Sequence, residues 1–111
     1  MGSWASDNFG NDGACDFRAG VVDHLLKTAK PPEDLLEIDE VMAAVAMILA
    51  ICERCGVPGN LYDFDVGSLR HSVVSVYDAE IDDYSPDPDH KRDRREVINR
   101  TFDELQHCLS A

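Results

Sequence analysis

The segment Val41–Cys52, V-M-A-A-V-A-M-I-L-A-I-C, limits the fold of this chain more than any other stretch. It is too apolar to lie bare in water, and Glu53 and Arg54 end it well short of the roughly 20 apolar residues that span a bilayer. Acids crowd the residues before it (Glu33, Asp34, Glu37, Asp39, Glu40), and Gly56 follows Cys55. Carboxylates at the start and glycine just past the end are what a helix dipole and a C-terminal cap favour. The pattern predicts a helix over Glu33–Cys55. Because its middle is apolar all round, other helices are expected to surround it.

The rest of the chain supplies those neighbours. Ala14, Phe17, Val21, Val22 and Leu25 recur at helical spacing, with Asn11 or Asp12 as cap and Pro31-Pro32 as stop. Val66, Leu69, Val73 and Val76 form a second face behind a capping Asp65, running to about Asp82, although V-V-S-V also suits a strand. Ile98, Phe102, Leu105 and Leu109 mark a last helix from Pro88 or Asp89. Residues 83–89 read as a polar linker, and residues 1–13 as an arm that Trp4 and Phe9 pin to the core. The expectation is one all-α domain over residues 1–111: a four-helix bundle with its N-terminal arm packed on the core.

Charge narrows the function. The chain holds 22 Asp and Glu against 10 Lys and Arg, a net charge of −12. Such a molecule is repelled by nucleic acid and by anionic membranes. Neither a spanning segment nor a secretory signal is visible, which favours a cytoplasmic setting. The cluster Lys91-Arg92-Asp93-Arg94-Arg95 reads as a solvated helix start whose cations pair across turns.

Sequence motifs for catalysis are few. Cys52-Glu53-Arg54-Cys55 has metal and redox spacing, but it falls at a helix C-terminus, where the dipole disfavours thiolate. A zinc site there needs two more ligands from Cys15, His71, His107 and Cys108. His24, His71, His90 and His107 belong to no nucleophile or zincin pattern, and the acids from Asp78 to Asp83 lack the glycine and closing glutamate of an EF-hand. The opening also fits the short myristoylation pattern M-G-x-x-x-[ST]. No catalytic residue and no cofactor is assigned.

The opening Met1-Gly2-x-Trp4, followed by Phe9-x-Asn11-Asp12-x-Ala14-x-Asp16-Phe17, resembles an uncharacterised bacterial family of small helical domains. Its members begin M-G-x-W-G-x-x-x-F-x-N-D-x-A-x-D. Ala5 stands where the family has glycine, and the acidic stretch from Asp78 to Asp89 is a second departure. The resemblance implies a helical fold and a bacterial cytosolic protein, and it brings no activity. On the residues alone, Trp4, Phe9, Asn11, Asp12 and Asp16 read as architectural, with a ligand pocket as the alternative.

A small acidic chain without catalytic constellations suggests an immunity- or antitoxin-type inhibitor of a basic protein, such as a bacterial nuclease toxin. The expected contact surface is Tyr77, Asp78, Glu80, Asp82, Asp83, Tyr84, Asp87 and Asp89, the tyrosines acting as anchors. Two alternatives stand beside it. One is a zinc- or thiol-dependent enzyme or regulator using Cys52 and Cys55. The other is a structural or oligomeric helical domain, which an exposed apolar helix face would favour.

Overall fold

In the computed structural model, residues 12–84 and 86–110 are described. They form four helices: α1 (Asp12–Thr28), α2 (Leu35–Cys55), α3 (Val66–Glu80) and α4 (Pro88–Ser110). Short 3-10 turns at Gly59–Leu61 and Ile81–Tyr84 lead into and out of α3. The domain is an all-α bundle in which α2 packs against α1, α3 and α4.

Each boundary has a chemical cause. α1 stops at Thr28, before Lys30, because Pro31 disfavours helical backbone in the residue preceding it. Asp34 caps α2 by accepting the Glu37 N–H at 3.1 Å, and the Glu37 carboxylate accepts the Glu33 N–H at 2.7 Å. At the other end Gly56 takes φ 85° and donates its N–H to the Cys52 carbonyl at 3.0 Å. Asp65 caps α3 through the Ser68 N–H, a bond that also lowers its carboxyl pKa. α4 opens with Pro88 in its first turn, where a missing N–H costs nothing, and the Asp87 carboxylate accepts the Asp89 N–H at 2.8 Å.

The core runs along α2. Val41, Val45, Ile48 and Cys52 meet Val22 and Ala29 of α1, Leu69, Val73 and Tyr77 of α3, and Ile98, Phe102 and Leu105 of α4. V-V-S-V is helical because Val73 is completely buried on one face of α3; tertiary packing outweighs its β preference. Across the α3–α4 seam, Arg70 donates to Asn99, Asp103 and Gln106.

Two expectations need correction. Phe17 does not join the core: it is 75% exposed, and Val22, Leu25, Leu26 and Ala29 form the packing face of α1 instead. α2 is covered on three sides rather than all round. Leu36, Ala43, Ala46, Met47 and Ala50 lie open, with Leu36 73% and Met47 56% exposed, since no described element lies over them.

Phe102 has no exposed surface and joins α4 to the core, so Phe102→Ala should lower stability by about 3–5 kcal/mol. Asp34→Ala should cost only about 1 kcal/mol, the value of a cap. Urea unfolding monitored by circular dichroism measures both, and equal losses would contradict the packing described.

Candidate partner-binding site

The N-terminus of α2, the C-terminus of α3 and the start of α4 converge at one end of the bundle. The Leu35 N–H donates to the Glu80 carboxylate at 3.2 Å, and Arg94 of α4 pairs with Asp39 of α2 at 3.0 Å. Between these elements lies an open cleft of about 340 Å³. Leu36, Ile38, Ile81, Tyr84 and Pro86 make its apolar walls, while Asp39, His90 and Arg94 supply polar edges. Asp39 is the carboxylate that lines it, and Asp82, Asp83, Asp87 and Asp89 lie beside Tyr84 and Pro86 in the segment that leads into α4, whereas Glu37 of the α2 start faces Lys27 and Lys30 on the α1 side.

The structure divides the expected contact residues by what each already does. Tyr77 cannot be an anchor: it is 2% exposed, and its hydroxyl donates to the Lys91 carbonyl at 2.9 Å. Burial, the largest influence on it, raises its phenol pKa. Asp78 holds Arg95 through two bonds of 2.9 and 3.0 Å, and Asp82 holds Lys91 at 2.7 Å. Those carboxylates raise the pKa values of the two cations, chiefly through the side-chain hydrogen bonds. Asp89 pairs with Arg92 at 3.3 Å, Glu80 is tied to Leu35, and Asp87 caps α4. The side chains of Tyr84, 54% exposed, and Asp83 point outward and make no hydrogen bond or ion pair among the described residues.

The basic cluster of α4 is thus mostly bound within the molecule. Lys91 and Arg95 pair with α3 and the turn after it, Arg94 with α2, and Arg92 with Asp89 and Asp93 of α4. The pairs across helices contrast with the turn-to-turn pairing expected from the sequence. Asp39, Leu36 and Arg94 were not among the expected site residues. The acids at the α2 start had signalled a helix N-terminus, and the partner they find on α4 is 55 residues away.

The cysteines adopt an unexpected arrangement. Cys52 is buried, and the thiol with the largest influence on it is Cys108 of α4 rather than Cys55, so the neighbouring thiols come from two helices instead of from C-x-x-C alone. Burial, reinforced by Cys108, pushes the Cys52 thiol up to about 11. Among the described residues, no three His, Cys, Asp or Glu side chains converge as metal ligands. His71 and His107 are exposed on α3 and α4. Of the N-terminal motif, Trp4, Phe9 and Asn11 lie outside the described residues, as does the Asp12 side chain; Asp16 is exposed on α1.

A raised thiol pKa makes the fold less stable at alkaline pH. Below the ordinary value of 9.0, Cys52 is protonated in both folded and unfolded chains, and its contribution is intact. Between about 9 and 11 the unfolded chain ionises first, so stability should fall. Cys52→Ala should flatten that fall in a pH series of unfolding curves. Alkylation of the folded protein at pH 8, mapped by mass spectrometry, should modify Cys55 before Cys52.

Compared with profiles of known protein families, with curated proteins and with solved structures, the chain has no match.

Proposed function

We propose that this chain is a small acidic binding protein that inhibits a basic partner, in the manner of an immunity protein or antitoxin against a bacterial nuclease. The observation that carries this reading is the apolar cleft beside Tyr84, set among carboxylates at one end of the bundle. Tight interfaces concentrate their energy in a desolvated apolar centre with an aromatic anchor, surrounded by a polar rim. Here Leu36, Ile81 and Tyr84 supply the centre, and Asp39, Asp83 and Asp87 belong to the rim.

The net charge of −12 supports the same reading through kinetics. It draws a cationic protein inward from beyond contact distance, and salt screens that attraction. A nuclease cleft shaped to attract phosphate offers complementary charge, and covering it would exclude nucleic acid. In this reading the protein works in the bacterial cytoplasm, where a nuclease would meet its substrate. No helix among the described residues is long and apolar enough to cross a membrane.

The carboxylates are not equivalent in this role. Asp78 and Asp82 already neutralise Arg95 and Lys91, so reversing either one breaks an ion pair of the fold as well as changing the surface. Asp83 and Tyr84 are the cleaner probes.

Full-length protein, immobilised, should capture a basic protein at low salt and release it at high salt, and free chain should inhibit the activity of the released protein. Asp83→Lys should slow association several-fold and flatten its salt dependence. Tyr84→Ala should weaken the complex about tenfold or more, mainly by faster dissociation. Asp63→Lys, in the turn before α3, should change both much less. Unchanged association by Asp83→Lys and Tyr84→Ala would remove this surface from the interface.

A further inference from the structure

The open side of α2 has the spacing of a coiled-coil seam. Leu36, Glu40, Ala43, Met47, Ala50 and Arg54 follow one another at alternating steps of four and three, and all six are exposed. Beside this line, the groove between α2 and α4 encloses about 350 Å³, with Met42, Ala43, Ala46, Val97 and Thr101 along its length. An exposed methionine therefore sits next to a shallow recess floored by alanines. Knob and hole belong to the same surface, which is what a two-fold interface between identical chains requires.

We infer that this face binds a second copy of the chain, with the two α2 helices antiparallel. Met47 of each copy enters the recess beside Ala43 and Ala46 of the other. With Ala43 opposite Met47, Leu36 falls opposite Arg54 of the second copy. The Arg54 stem then covers an exposed leucine, and its charge approaches the Glu40 end of the facing helix. A parallel pairing would set Glu40 against Glu40 and Arg54 against Arg54, with the helix dipoles aligned. Charge thus selects the antiparallel arrangement, and the alanines allow the backbones to approach closely.

Two such chains also repel each other, since each carries −12. Added salt screens that repulsion and strengthens this contact, whereas it weakens the contact with a basic partner. The opposite salt dependence separates the two interfaces experimentally.

Sedimentation equilibrium of the full-length chain, from micromolar to submillimolar concentration at low and high salt, provides the test. The expected result is a mass rising from monomer to dimer, at lower concentration in high salt. Met47→Glu should raise the dissociation constant roughly tenfold or more, because it puts an unpaired charge at the contact centre. Glu40→Arg and Arg54→Glu should each weaken the dimer, and combining them should restore it. Helicity by circular dichroism should stay unchanged, since all three residues are exposed. A chain that stays monomeric throughout overturns the inference, as does a dimer indifferent to Met47→Glu. Failure of the double reversal to restore association overturns the antiparallel arrangement. A monomer in which Met47→Glu shifts the emission of Trp4, the single tryptophan, means that the chain's own first residues occupy the face, and this too overturns the inference.

Discussion

Val45 and Ile48 have no exposed surface at the middle of α2, and the other three helices are placed by what they bring against that helix. α1 contributes Val22 and Ala29, α3 contributes Val73 and Tyr77, and α4 contributes Ile98, Phe102 and Leu105. Removing a large aliphatic side chain from water yields roughly 1.5–3 kcal/mol, so the α2 contacts outweigh any exposed ion pair in the molecule. The polar devices at the helix ends determine where each helix starts and stops, while burial determines where it lies. Among the polar contacts between helices, Arg70 reaches the most side chains, fastening α3 to α4 through three on the latter.

That arrangement brings the acidic residues together. Because α2 and α4 begin where α3 ends, the carboxylates at two helix starts lie at the same end of the bundle as those that follow α3. Part of this charge is consumed internally, with Asp39, Asp78 and Asp82 each holding a cation of α4. What remains is directed by the 3-10 turn at Ile81–Tyr84, which buries Ile81 and leaves Asp83 and Tyr84 outward. The same turn therefore closes the core and presents an exposed acid, Asp83, next to the exposed aromatic of the cleft, Tyr84.

How far the sequence could be read depended on whether a feature was local. Helix faces with strict spacing, such as Ile98, Phe102 and Leu105, and caps such as Asp65 follow from neighbouring residues, and they were legible. Phe17 was not. It keeps helical spacing with Val21, yet the packing direction of α1 is set by α2, and Phe17 lies outside it. Tyr77 failed as an anchor for the same reason: an aromatic beside acids resembles a contact residue until the backbone of Lys91 is seen to receive its hydroxyl. Cys52 and Cys55 suggest a pair by proximity in sequence, whereas the thiol that most affects Cys52 is Cys108, brought from α4 by the packing. The Asp39–Arg94 pair joins residues with no spacing signal between them.

The composition of α2 was misleading in one further respect. A helix apolar on every side calls for neighbours on every side, and the described helices supply three. The open fourth side is also not a random selection of apolar residues. It carries a repeat of 3.5 residues, where a helix buried in a globular core needs only the broader 3.6 stripe. The covered side of α2 is mainly bulky Ile, Val, Leu and Met, with Ala44 and Cys52 among them, while the exposed side sets alanines around one central methionine, with Leu36, Glu40 and Arg54 toward its ends. Bulk fills space between helices of one chain; small residues around a single knob suit two helices meeting along a line. The two sides of α2 thus solve different packing problems. The acidic cleft lies at the end of the bundle and the seam along its flank, so the two faces overlap at Asp39 and Arg94, which line both the cleft and the α2–α4 groove, and at Leu36, which can be covered by one partner at a time. Occupation of both faces then depends on how a second α2 and a basic partner share that leucine. Salt shifts the balance between them, because it screens repulsion in one complex and attraction in the other.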